Sequence, residues 1–292
     1  MANRTQSGKR KARSPRSAAG NRSVVVGVHL LKTIASLQGP ASLGEIAKAA
    51  GLSASRTHRF LAGLIQTGLV EQNESTGHYD LGATIVELGL IALGRTDAVK
   101  LGSDALVTLT ERTGLVSLLS TWGSNGPTLV KWEPGRLQTA VRLREGRNLP
   151  LLTTATGRVF LTHMPAGDTR PLLDRELKAR NAVKERALPA VEVEALRNQV
   201  LRRGIGQSSG EENPGLTALA APVFDHEGRI VLVVTLLGIL GTFSTEDDGE
   251  PARVLKMTAD RLSRRLGAPQ AASHGRPSAV SGALEAAGAA SV

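Results

Sequence analysis

Seven consecutive residues, Ser53-Ala54-Ser55-Arg56-Thr57-His58-Arg59, bring hydroxyls, an imidazole and two guanidiniums together. These are groups that read duplex DNA. A guanidinium makes a two-pronged bond to guanine, a serine hydroxyl holds a phosphate, and a helix N-terminus favours an anion. If a helix starts here with Phe60, Leu61 and Leu64 turned inward, then Ser55, Arg56 and Arg59 face outward. Ser53 and Ala54 are small enough for the backbone to approach a duplex. His58 ranks below the arginines as a base reader. Ser42, at the head of the preceding helical segment, is a second phosphate candidate. The competing reading makes Arg56 and Arg59 ordinary surface residues of a small bundle.

A second group is Thr153, Thr154 and Thr156, three hydroxyls in a loop that enters a helix. Free N–H groups at such a helix mouth, together with hydroxyls, suit a carboxylate or similar acceptor-rich group. Leu151, Ala218, Leu219, Val233 and Leu237 would supply an apolar wall. Catalysis finds little support. The chain has no cysteine, and its six histidines form no HExxH pair, so neither metal nor cofactor is expected. It has no Gly-x-Ser-x-Gly elbow and no P-loop. His163, Asp225 and His226 are the remaining candidates, and Glu211-Glu212 reads as a solvated acidic pair.

The elements that must position these groups fall into two blocks. In the first, Ser23 is placed to cap a helix whose apolar positions are Val24, Val28, Leu31, Ile34 and Leu37. Gly39-Pro40 stops it. Ser42-Leu43-Gly44-Glu45 is a capping box ahead of Ile46, Ala47 and Ala50, and Gly51 ends that short helix. Ser53 or Ser55 caps the next, from Ala54 to Gln66, and Thr67-Gly68 stops it. Strands at Leu69–Gln72 and His78–Leu81 then flank a Gly-containing turn. Helix, helix, glycine turn, helix and hairpin make a winged helix-turn-helix, whose third helix enters the major groove.

Residues 82–95 carry one internal charge, Glu87, and are apolar on more than one face. Such a helix packs against a second copy of itself or under its own second domain. The second block opens with a helix near Asp97–Arg112. Strands follow at Leu115–Trp122, Thr128–Glu133 and Thr139–Leu143. Helices cover Asp168–Lys184 and Val191–Arg203, and three strands return at Gly204–Gln207, Thr217–Phe224 and Ile230–Leu237. A last helix spans Thr245–Leu266. The fold class is α+β: a winged helix-turn-helix, a linker helix, and an antiparallel sheet flanked by helices.

The net charge is +10, and its location matters more than its size. Residues 1–23 carry seven bases and no acid, residues 24–95 are neutral, and residues 96–267 hold 23 bases against 20 acids. The excess is thus an N-terminal arm that would add salt-sensitive phosphate contacts without reading sequence, or a tail that aids solubility. Aromatic residues at 2% argue against base stacking on single strands or RNA. No apolar stretch is long enough to span a membrane and no secretory signal is visible, so a cytoplasmic protein is expected. Residues 1–22 and 269–292 read as disordered tails, residues 23–84 as the DNA-binding domain and residues 85–268 as linker helix plus second domain.

The segment SLGEIAKAAGLSASRTHRFLAGLIQTGLV resembles the DNA-binding domain of the IclR family of bacterial transcriptional regulators. Its pattern is LxELAxxxGLxxSTxHRLLxxLxxxGxL, then a wing closing near YRLG, which Tyr79-Asp80-Leu81-Gly82 matches here. Arg56-Thr57 stands where Thr-Val is usual, and His78 and Asp80 stand where arginines are common. In the second block, LPLLTTATGR and GLTALAAPVFDHEGRI resemble the family's GAF-like effector-binding domain. The resemblance implies a DNA-binding regulator, more readily a repressor, that binds an operator as a homodimer or homotetramer under control of a small organic effector. It places effector contacts on Ala155, Thr156, Ser208, Ala218, Thr235 and Leu237. Ser208 departs from an acid that is usual nearby, which points to a mono-acid or aromatic acid with an apolar body. Alternatives are that these residues only pack the sheet, and that the whole is an architectural oligomer without ligand.

Overall fold

The structure, a computed structural model, describes residues 22–37, 39–136, 143–182 and 190–269. The chain divides into two compact units after Arg95. That division groups the linker helix with the first unit, whereas the expected boundary after Thr84 groups it with the second.

In the first unit, helices α1 (Arg22–Ser36), α2 (Leu43–Ala50) and α3 (Ala54–Gln66) precede a hairpin of β1 (Val70–Gln72) and β2 (Tyr79–Leu81). The strands pair antiparallel, Val70 opposite Leu81, and Ala41 adds a bridge to Tyr79. The core joins Leu30, Ile34, Ile46, Leu61, Val70 and Tyr79. Local signals set the boundaries. Ser42 and Glu45 form a reciprocal capping box on α2, and Gly51 closes it in the left-handed region at φ 65°. Ser53 caps α3 by accepting the Arg56 N–H.

Helix α1 departs from its expected phase. It begins at Arg22, so Ser23 lies inside its first turn, and it buries Gly27, Leu30, Thr33 and Ile34. Val24, Val25 and Val28 stay exposed. The run of valines and leucines carries two overlapping helical stripes, and the buried one passes through Gly27. A methyl group there would sit 3.9 Å from Leu64 of α3, an ordinary packing distance, so this stripe is the one turned toward α3. Beyond the wing, α4 (Ala83–Gly94) leaves Val86, Leu88, Leu90 and Ile91 exposed.

The second unit starts with α5 (Ala98–Thr113), capped by Asp97 and closed by Gly114. The strands are β3 (Val116–Gly123), β4 (Gly126–Glu133), β5 (Gly206–Ser209), β6 (Leu216–Phe224) and β7 (Ile230–Ile239). They form one antiparallel sheet in the order β4-β3-β7-β6-β5. Of the strand expected at Thr139–Leu143, residues 139–142 lie outside the described residues. Helices α6 (Ala155–His163), α7 (Ala166–Ala182) and α8 (Ala190–Arg203) intervene, and α9 (Glu250–Arg265) ends the unit. Helix α9 starts later than expected, with a proline in its first turn.

Strand alternation sorts the core into two layers. Leu219, Ala221, Val223, Leu232, Val234 and Leu236 face α5 and α9, packing with Leu106, Leu109 and Leu255. Ala218, Ala220 and Val233 face the other way, against Val159 and Phe160 of α6 and Val200 of α8. The first turn of α6 thus lies over the β6–β7 pair.

Candidate nucleic-acid interface and effector cleft

Helix α3 presents Ser53, Ser55, Arg56, His58 and Arg59 to solvent, while Thr57 and Leu61 are buried. The two guanidiniums converge on one ring. The Cζ atoms of Arg56 and Arg59 lie 6.0 and 5.9 Å from the Phe60 centroid, within reach of cation–π attraction. Phe60 is half-buried, so it packs on the core and carries the arginines at once. Ser42 is the cap of its own helix. Its hydroxyl donates to Glu45 Oε2 at 2.7 Å and its N–H to the same oxygen at 2.8 Å. These bonds, the backbone one first, hold the Glu45 carboxyl below its ordinary range. The wing ends at Gly82, where a Cβ would lie 2.2 Å from the Gly68 carbonyl oxygen. Only glycine lets the chain leave the hairpin so close to the end of α3.

In the second unit, Ala155, Thr156, Ser208, Ala218, Thr235 and Leu237 all line one cleft, together with Leu118, Leu143, Leu149, Leu216 and Arg147. Its enclosed space is about 60 Å³. At its floor the buried Thr156 and Thr235 hydroxyls meet at 2.8 Å. At its rim Arg147 Nη2 donates to Glu212 Oε1 at 3.1 Å, and Thr153 Oγ1 donates to Glu212 Oε2 at 2.8 Å. The three threonines therefore do not converge on one seat. Thr153 serves Glu212, whereas Thr154 accepts the Gly157 N–H and donates to the Pro150 carbonyl as the α6 cap. Part of the expected apolar wall also lies elsewhere. Leu219 faces α5 and α9, Val233 is sealed beneath α6, and Leu151 packs with Leu173 and Val193.

The helix-turn-helix model of the IclR family matches residues 23–74, and the model described as "Bacterial transcriptional regulator IclR C-terminal" matches residues 91–264. The chain belongs to the IclR family. The HTH-type transcriptional regulator XynR of Escherichia coli is 29% identical over 233 residues, 77% of this chain and 89% of that protein. The DNA-binding transcriptional repressor YiaJ of the same organism is 26% identical over 257 residues, 85% of this chain and 89% of its own length. Among solved structures, Pseudomonas aeruginosa HmgR superposes with a TM-score of 0.76 at 33% identity, covering 85% of this chain and 99% of that one. This IclR-family chain is thus a DNA-binding transcriptional regulator with a helix-turn-helix domain and a C-terminal effector domain.

Residues that the sequence did not single out hold the cleft together. Arg158, 9% exposed, donates from Nε to the Leu152 carbonyl at 2.9 Å, from Nη1 to the Gln207 carbonyl, and from Nη2 to Glu211 Oε1 at 2.8 Å. One guanidinium therefore joins the loop before α6, strand β5 and the segment after it. Burial alone would raise the Glu211 carboxyl, but the Arg158 hydrogen bond and charge outweigh it and hold it below its usual range. Glu211 and Glu212 are two separate ion-pair partners, which corrects their reading as a solvated pair. From α7, Glu176 accepts the N–H groups of Leu151 and Leu152 at 2.7 and 3.1 Å, while burial pushes its carboxyl up. Gly157 completes the fit, since a Cβ there would lie 1.9 Å from the Pro150 carbonyl oxygen.

The residues considered for catalysis do not assemble. His163 stacks edge-on to Phe224 with centroids 5.3 Å apart, and burial pushes its pKa down to about 4, so it is neutral. Asp225 accepts the N–H groups of Glu227 and Arg229 within the β6–β7 turn. Among the described residues no cluster of three metal-ligating side chains occurs, and no helix is long and apolar enough to cross a membrane.

Proposed function

We propose that this regulator binds a duplex operator through α3 and releases it when a small organic acid enters the cleft of the second unit. Ser53, Ser55, Arg56, His58 and Arg59 form the reading surface, with the arginines at base edges. The single observation that carries the effector reading is that the six residues expected from the resemblance line one cleft that also holds Arg147. Arg147 is the partner for a ligand carboxylate, in competition with Glu212. Leu118, Leu143, Leu216 and Leu237 give the ligand an apolar lining. An apolar cavity of about 150 Å³ takes up benzene, so with about 60 Å³ enclosed here a ring-sized body rests partly in the open mouth. Glu212 also supplies the carboxylate that Ser208 lacks, so the best ligand brings a hydrogen-bond donor near its acid.

The exposed valines of α1 and the apolar α4 support assembly as a homodimer, with a tetramer as its pairing. The repressor named among the relatives supports negative control, which this reading assigns to a metabolic operon. Action on duplex DNA supports a cytoplasmic location, and binding rather than catalysis is the chemistry of this reading. The test is a thermal-shift screen of organic acids on the full chain, followed by operator binding with each hit. A ligand at a hundred times its Kd stabilises the fold by about 2.7 kcal/mol. A hit that stabilises the chain yet leaves operator affinity unchanged would favour the architectural reading, in which the second unit only assembles the oligomer.

A further inference from the structure

The two arginines of the reading surface share a support that the winged fold alone does not require. Arg56 and Phe60 stand four residues apart on α3, hence on one face of the helix, and Arg59 approaches the same ring from the neighbouring position. The family pattern has leucine where Phe60 stands, and an apolar side chain of either kind fills the core. An aromatic ring adds one thing: a negatively polarised face for a guanidinium.

We propose that Phe60 is a positioning residue for DNA reading, which holds the Arg56 and Arg59 guanidiniums ready for base edges and thereby sets specificity. A guanidinium held over the ring still presents its planar fork of N–H donors, which can grip guanine while the contact persists. The contact also removes part of the rotamer freedom that a long exposed side chain loses on binding. The gain falls on contacts that need orientation. A phosphate accepts a cation from many directions, so non-specific binding gains little from a fixed guanidinium. Phe60 therefore widens the ratio of operator to random-DNA affinity rather than raising both. This inference rests on the assignment of α3 as the reading helix.

The experiment uses the full chain and a duplex it selects from a randomised library, with a scrambled duplex as control. Arg56→Ala/Arg59→Ala tests the underlying assignment, with a loss of about fivefold to a hundredfold on the selected duplex for each arginine that grips a base. Phe60→Leu is expected to weaken selected-duplex binding on the order of two- to fivefold for each guanidinium released, and scrambled binding hardly at all. Phe60→Tyr keeps the ring and is expected to bind like the natural chain. Added to Arg56→Ala/Arg59→Ala, Phe60→Leu should then have no further effect. Phe60→Met repeats the test should leucine disturb the fold. Equal losses on both duplexes, or a loss that persists without the arginines, would make Phe60 a core residue only and overturn the proposal. An unchanged selected-duplex affinity in the double arginine variant would overturn the assignment and the proposal with it. Unchanged binding in Phe60→Leu alone would overturn only the proposal.

Discussion

Thr156 on α6 and Thr235 on β7 share one hydrogen bond, 2.8 Å long, at the floor of the effector cleft. Both side chains are almost wholly buried, so each hydroxyl depends on the other. Thr156→Val keeps the shape but leaves the Thr235 hydroxyl without that partner, a loss of about 1–3 kcal/mol. Thr156→Val/Thr235→Val removes both polar groups and is expected to regain most of that loss in denaturant unfolding. Ligand-free operator binding should stay intact in both variants, while the shift given by an acid hit should vanish. A hit whose shift Thr156→Val leaves unaltered would put the ligand somewhere else.

The Arg158–Glu211 pair makes a second expectation, in pH. Glu211 has a folded pKa below its unfolded value of about 4.3. Its contribution to stability is therefore complete above that unfolded value and is lost as pH falls through the folded one. Glu211→Gln should be less stable than the natural chain near neutrality, and the difference should shrink as the pH drops below about 4. Glu176 has the opposite sign, because burial raises it, so it favours the fold more as acid protonates it. Unfolding curves at several pH values check this. A difference that stays constant across the range would mean that Glu211 acts by packing rather than charge.

The N-terminal arm gives a third. Residues 1–20 contain Arg4, Lys9, Arg10, Lys11, Arg13 and Arg16 and no acid. Deleting them should weaken operator and random DNA alike and flatten the salt dependence of binding. The slope should fall by up to ~0.9 log–log units for each phosphate that the arm no longer neutralises. An unaltered slope would reduce the arm to a solubility tail.

Helix and strand positions in this regulator are legible where local chemistry dictates them. The Ser42–Glu45 box, the Ser53 cap and the left-handed glycines lie within a few residues of what they terminate. The six cleft residues follow from resemblance rather than spacing, and the sheet does bring them together. What sequence misses needs parity or distance. Leu219 reads as a cleft residue, but alternation puts it on the opposite face from Ala218. The phase of α1 is ambiguous because its valines fit two stripes, and packing on α2, α3 and the wing chooses between them. Glu211 and Glu212 find their arginines 53 and 65 positions away, a separation that no local pattern reports. An Arg in LLTTATGR followed much later by paired acids is the one available signal, and it carries no register.

The last expectation concerns α4, whose Val86, Leu88, Leu90 and Ile91 are 60, 54, 65 and 43% exposed in the single chain. Val86 and Leu90 share one face of this twelve-residue helix and Leu88 and Ile91 another, so apolar surface meets water on more than one side, and a second copy of the chain is the partner proposed for the Val86–Leu90 face. A charge at the middle of such an interface must be desolvated or the interface must open. Leu90→Glu is accordingly expected to raise the dimer dissociation constant strongly, measured by sedimentation across a concentration series. Within one chain Leu90 is exposed, so the same variant should leave the thermal stability of the isolated chain nearly unchanged. Operator binding should fall further than the monomer's contacts alone explain, because two reading helices held at a fixed spacing act at a high effective concentration. Should Leu90→Glu sediment as the natural chain does at every concentration, α4 is not the dimer seam, and the exposed valines of α1 become the next surface to charge.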